Sequence, residues 1–358
     1  MMNKVNQLKN RIYSFDILRI IAICAVVLVH VSADYIKTCP NDSLEFISNN
    51  LLRSFSSFAV PVFFMISGAL MLNEDKILSN KKIIHSALNI FVLLMIWSVF
   101  YAASYHIIKP LIFKEEISIF ELVSAIFNGH YHMWFLFALI GLYLITPILR
   151  MFIKRDNLPL ITAYLNFSVV VCFVVPFVNQ IINMYTAHEN ILETYISNYQ
   201  MNYFYDSIVY YIMGWYILNK KIEKRSRIII YICGFLSYLG TVVCTQLFYD
   251  NTLSPINFFY NNNCLTVFLY SVAVLTFLHN LLKRKNYTAS DTVLKLSSYV
   301  FGVYLIHPVF LFLLKPIFRN ISPAPLGTVI IFLSTTFLSF FSVFIISKIP
   351  LIRKVVRI

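Results

Sequence analysis

Arg19 and His30 interrupt the first long apolar run of the chain, FDILRIIAICAVVLVHVSADY. A guanidinium stays charged and forks onto anions such as phosphate, and an imidazole takes or gives a proton near neutral pH. Eleven residues of α-helix, the separation of the two, turn through about 1,100°, so both side chains share one face about 16 Å apart along the axis. A charge facing lipid at mid-depth costs at least about 2.5 kcal/mol, which is why such groups usually face a bundle interior or an aqueous cavity. The pair reads as part of a polar path through a bilayer, with a cation near one surface and a titratable ring deep toward the other. The plainer alternative is an internal polar contact that only stabilises the bundle.

The elements that position this pair follow from composition. The chain has 358 residues, 59% hydrophobic and 13% charged, with a mean hydropathy of +0.73. That balance belongs to an integral membrane protein. Apolar stretches of spanning length fall at roughly 15–36, 53–72, 83–104, 133–153, 159–178, 203–219, 228–249, 263–282, 297–316 and 326–348. Each is continuously apolar for about 20 residues, which favours helices over shorter alternating barrel strands. The expected fold is therefore an all-α polytopic bundle of about ten transmembrane helices in a single domain over 1–358. Segment 1–14 precedes the first helix as an uncleaved start, and 349–358 forms a short tail.

Basic residues collect in every second loop. Outside Arg19 the count is 22 Lys and Arg on that side against six on the other: Lys37, Arg53, Lys109, Lys114, Lys315 and Arg319. The positive-inside rule then puts both termini in the cytoplasm. The formal charge of +13 is spread over many short loops without a basic arm, so it records topology and argues against nucleic acid as a partner. The six cysteines show no CxxC spacing and read as small buried hydrophobes, with Cys39 and Cys264 near the outer face at a distance that the sequence does not set. His130 and His132 form an HxH pair without a carboxylate or cysteine cluster beside them, so no metal is expected.

Several segments resemble the membrane-bound acyltransferase-3 family of bacterial O-acyltransferases. They are the Arg19 to His30 spacing after FDILR, the run FAVPVFFMISGALML ending near Ser67 and Gly68, the segment YHMWFLFALIGLYLITPIL with His132, Trp134, Tyr143 and Pro147, and FGVYLIHPVF with His307. The fourth-helix residues are similar to those of the subgroup around the enterobacterial common antigen O-acetyltransferase. The resemblance implies transfer of an acyl group, usually acetyl, from cytoplasmic acetyl-CoA to a hydroxyl of a surface glycan or its lipid-linked precursor, in the bacterial cytoplasmic membrane. His30 would be the base that takes the hydroxyl proton, or an acyl carrier, and Arg19 would hold coenzyme phosphate or polarise the thioester carbonyl.

Other residues carry weaker expectations. Asp34, one helical turn past His30, fixes the imidazole tautomer or is an outer-interface charge. His132 and Trp134 contact the acceptor or sit in the aromatic belt. His307, followed by Pro308 in mid-span, lines a cavity or cross-links helices. Ser67 and Gly68 admit the thioester or allow close helix packing, and Arg150 reads as a snorkelling topology determinant. Asp206 and Asn89 line the same cavity or are satisfied buried polar groups. Two departures from the family pattern stand out: no Arg-x-x-Arg follows the second or third helix, and the chain ends about ten residues past its last span, so the acyl group is expected to pass directly to the acceptor or to a separate protein. A transporter of a small polar solute, or a non-catalytic polysaccharide export protein, are the competing readings. A transporter would show paired interrupted helices in two related halves, and no such half-to-half match is visible.

Overall fold

The computed structural model describes residues 13–113, 118–185, 206–248, 258–284, 290–321, 324–350 and 352–356. Lys4, Lys9 and Arg11, residues 203–205 of the expected sixth span, and most of the expected outer loop 179–202 lie outside the described residues. Helices make up the described chain, and no strand is present among the described residues.

Nine helical segments among the described residues are long and apolar enough to cross a bilayer. The first is α1 (Tyr13–Thr38). The second, Leu44–Met71, starts nine residues before the expected 53 and is broken into α2 (Leu44–Ser56) and α3 (Ala59–Met71). Ser43 caps α2 by accepting the Phe46 N–H at 3.1 Å. At the break, Ser56 and Ser57 donate to the carbonyls of Leu52 and Ser54, each at 2.8 Å, so carbonyls at the broken end keep donors. Pro61 lies in the first turn of α3, where its missing N–H leaves no bond unmade.

Then come α4 (Asn80–Phe113), the short apolar α5 (Ile119–Asn128), α6 (Trp134–Phe152), and α7 (Leu158–Val169), which passes through a π-turn at Val170–Val174 into α8 (Val175–Tyr185). After α9 (Asp206–Asn219) follow α10 (Lys224–Leu247), α11 (Leu265–Arg284), α12 (Asp291–Phe318) and α13 (Ala324–Lys348).

The described part of the expected sixth span is α9, only 14 residues long. It still runs from one end of the bundle to the other. The Tyr210 hydroxyl donates to the Asn262 carbonyl at 2.6 Å in the turn before α11, while Asn219 accepts from Arg155 at 2.9 Å at the basic end. The 14 described residues rise about 21 Å. Tyr210, Tyr211 and Trp215 are fully buried in the core and no residue of α9 is exposed, so the described helix packs against protein. Its contact with α3 is at backbone distance: a Cβ on Gly68 would lie 1.8 Å from the Tyr211 carbonyl oxygen, and one on Gly214 would lie 1.9 Å from that of Met65.

Candidate active site

Four histidines from three parts of the chain meet at the end of α1 remote from Arg19. The His30 ring stacks on His307 of α12 at 5.3 Å between centroids and meets Tyr131 edge-on at 5.3 Å. His132 lies 5.4 Å from His307, and the Nδ1 atoms of His130 and His132 are 2.8 Å apart, so one donates to the other. The turn that delivers Tyr131 and its two flanking histidines is made by Gly129, which ends α5 at φ 69° and whose missing side chain leaves room for the Phe137 ring and the Ser98 hydroxyl. Tyr101 stacks on His130 at 4.2 Å, and the Tyr304 hydroxyl donates to the His132 carbonyl. The turn is clamped between α4 and α12.

Depth separates the members. His307 is fully buried and His132 nearly so, at 2% exposure, whereas His30 is only half-buried and Tyr131 is exposed. Among the described residues His30 makes no hydrogen bond, which leaves both ring nitrogens available to a ligand. The Nε2 atoms of His132 and His307 are buried without a partner.

The histidine-proline step explains how His307 is held. In a regular helix residue 308 donates its N–H to the carbonyl of residue 304; Pro308 has no N–H. The ring Nδ1–H of His307 fills that position at 2.8 Å from the Tyr304 oxygen, with the Val303 oxygen at 3.2 Å. Those acceptors place the proton on Nδ1 and leave Nε2 as a bare lone pair.

Arg53 is a member that the sequence reading did not bring to the site. Counted on the outer side at the start of the expected second span, it lies on α2, donating to the Val29 carbonyl at 3.1 Å beside His30 and covering the Tyr260 ring at 4.6 Å. Of the two readings of Asp34, a bond to the His30 ring is not made. Its carboxylate pairs with Lys315 of α12 at 3.8 Å and with Arg319, the residue capping the end of α12, at 3.6 Å. Trp134 is 46% exposed with its ring 6.3 Å from Phe64.

At the other end of α1, buried Asp16 accepts from Ser297 of α12 at 2.7 Å and lies 3.8 Å from the Arg19 guanidinium. Tyr143 of α6 neighbours both Arg19 and Ser67. Gly68, one residue further, faces α9, and that backbone contact accounts for the glycine without a ligand. Arg150 does more than snorkel: it donates to the carbonyls of Met71, Asn73 and Lys76 at 2.5, 3.1 and 3.0 Å and closes the C-terminal end of α3. Burial, with Arg19 and Arg150 nearby, holds the Lys76 ammonium below its ordinary value. This end of the bundle gathers Arg19, Lys76 and Arg150, a positive charge suited to an anionic ligand.

No group of three or more histidine, cysteine or acidic side chains among the described residues has a metal-binding arrangement. Among the described residues no disulfide joins two cysteines, Cys39 and Cys264 included.

A polytopic helical bundle with an arginine toward one end of its first helix and an imidazole cluster at the other defines a multi-pass membrane protein with chemistry-bearing side chains inside its bundle. A family model described as an acyltransferase domain, that of acyltransferase family 3, matches residues 12–347. The chain belongs to that family and is a multi-pass membrane acyltransferase. No curated protein and no solved structure matches it.

Proposed function

We propose that this acyltransferase moves an acetyl group from cytoplasmic acetyl-CoA to a hydroxyl of an extracytoplasmic or lipid-linked cell-surface glycan, in the bacterial cytoplasmic membrane. The observation that carries the reading is the half-buried His30, free of hydrogen bonds among the described residues, resting on fully buried His307, whose Nε2 has no partner. On the same helix, eleven residues toward the basic end, stands Arg19.

The separation supports a division of roles. At about 16 Å along the axis, Arg19 does not reach a carbonyl undergoing attack beside His30, so it holds coenzyme phosphate, with Lys76 adding charge and Ser67 lining the entry beside Tyr143. His30 takes the proton of the acceptor hydroxyl, the oxygen bonds to the acyl carbon, the carbon–sulfur bond breaks, and the sulfur leaves with the proton that His30 returns. His307 acts through His30 by orienting its ring. Tyr131, exposed and edge-on to His30, is the residue of the 130–132 turn that meets the acceptor, and His132 supports it from behind.

Purified protein in nanodiscs with radiolabelled acetyl-CoA and a cell-envelope glycan extract tests this. Label on the glycan that is lost in His30→Ala supports it. A folded protein that does not bind the coenzyme would sink it.

A further inference from the structure

The positive-inside rule leaves the outer face poor in lysine and arginine, and this chain has six such residues there by sequence. Four of the six gather at one place. Lys315 of α12 and Arg319, which caps the end of α12, pair with Asp34, Lys37 lies close enough to Lys315 to repel it, and Arg53 stands beside His30 on the Val29 carbonyl. They come from α1, α2 and α12 with its C-terminal cap. Both Arg53 and Lys315 are near enough to His30 to bear on its charge.

Locking α1 to α12 needs one cation for Asp34. The structure supplies two there, a third in Lys37, and a fourth in Arg53, which pairs with no carboxylate among the described residues. Arg53 lies within a spanning segment, held by the Val29 carbonyl and the Tyr260 ring with no neutralising anion among the described residues, and an ionisable side chain at such a place marks a functional site by default. Two of the four, Arg53 and Lys315, stand near the ring that takes the acceptor's proton, and the other two adjoin Lys315.

We infer that the acceptor is anionic, a glycan whose phosphate or carboxylate rests against Arg53, Lys315 and Arg319 while its hydroxyl reaches His30. The inference rests on the transferase reading and names its substrate class. Asp34 then occupies, in the free protein, the charge position that the acceptor's anion takes over.

The test is binding to the full chain in nanodiscs of neutral phosphatidylcholine. The probes are a glucuronate-containing oligosaccharide, the same oligosaccharide with its carboxyls reduced to neutral alcohols, and an N-acetylglucosamine linked through diphosphate to farnesol. At least one charged probe is expected to bind about tenfold or more tighter than the neutral one, with an advantage that shrinks as salt rises. Comparison of the two charged probes tells carboxylate from phosphate. Asp34→Asn should tighten charged binding about threefold or more by removing the competing carboxylate. Lys315→Met with Arg319→Gln should abolish the advantage, and Lys315→Arg with Arg319→Lys should keep it. A purely structural ion pair predicts no tightening in Asp34→Asn.

Equal binding of neutral and charged probes, binding of none, or selectivity that survives Lys315→Met with Arg319→Gln would overturn the inference. So would loss of the charged advantage when phosphatidylglycerol is added to the nanodisc, since the rim would then hold a lipid headgroup. Acetyl-CoA binding measured on the same samples separates the two readings. Its absence with anion selectivity intact counts against the transferase mechanism alone, and its presence without selectivity counts against the anionic acceptor alone.

Discussion

The Nδ1 atom of His307 lies 2.8 Å from the carbonyl oxygen of Tyr304, the oxygen that Pro308 leaves without its helical donor. The proline thus does two things with one missing proton. It removes a backbone bond, and it gives the preceding side chain a reason to fold back along its own helix. The bare Nε2 that results is held in the buried centre of the cluster, next to His30 and His132.

Replacing Pro308 tests this coupling without touching a ring. Pro308→Ala restores an N–H that competes with His307 for the Tyr304 oxygen, so the imidazole loses its fixed tautomer. We expect kcat for acyl transfer to fall about tenfold while the thermal midpoint does not fall, because alanine in a helix interior is more favourable than proline. His307→Ala should cost about a hundredfold in kcat and shift the pH-rate profile, since the environment of His30 changes with it. A profile and kcat unmoved by either substitution would remove His307 from the mechanism.

The turn that carries His130 and His132 should make the protein acid-sensitive. Burial holds the His130 imidazole down at about 4, and burial with His307 nearby lowers that of His132 well below its ordinary value. In the unfolded chain both titrate near 6.5. Between about 4 and 6.5 the unfolded state therefore binds more protons, so stability is full above about 6.5 and is lost as pH falls toward 4. Thermal unfolding in nanodiscs should show a midpoint that drops between pH 7 and pH 5, and His130→Gln should flatten that slope.

What the chain reveals before folding is set by how local the signal is. Arg19 and His30 share one helix, so their relation is legible from spacing and the 3.6-residue period. Arg53 was not, because SNNLLRSF is too polar to read as a span. That segment crosses only because distant residues satisfy it: Asn49 accepts from Thr328 at 3.0 Å, Asn50 donates to the Val242 carbonyl at 3.0 Å, and the Tyr260 hydroxyl donates to Asn50 at 2.7 Å. Hydropathy has no access to such partners. The pairing of Asp34 with α12 was hidden for the same reason, since the i to i+4 relation to His30 is local and the two cations are about 280 residues away.

Gly68 and Gly214 should behave as one contact. In Gly68→Ala the new Cβ must find room against the Tyr211 backbone, and in Gly214→Ala against that of Met65. Neither backbone yields as a flexible side chain would. Each substitution should destabilise the fold by about 1–3 kcal/mol, and the double variant should cost less than the sum because one separation of α3 from α9 relieves both clashes. Unchanged thermal midpoints in both single variants would show that the helices are not so closely packed. If instead stability holds and only the coenzyme KM rises, Gly68 belongs to the coenzyme site after all.

The length of α1 between its two chemical groups makes the sharpest functional prediction. If Arg19 binds phosphate and His30 handles the proton, their losses must fall on different kinetic constants. Arg19→Ala removes one charge-assisted contact, worth about 1.5–3 kcal/mol, and should raise the acetyl-CoA KM or Kd about 10- to 100-fold. Arg19→Lys should restore only part of this, because an ammonium lacks the fork. His30→Ala should leave coenzyme binding within about threefold of wild type and lower kcat about 10²- to 10⁴-fold, the usual range for a lost general base. Steady-state kinetics beside equilibrium binding of acetyl-CoA reads both. If Arg19→Ala instead lowers kcat with the coenzyme affinity unchanged, the guanidinium acts at the acyl carbonyl, and α1 must bend or the substrate must enter from the opposite end.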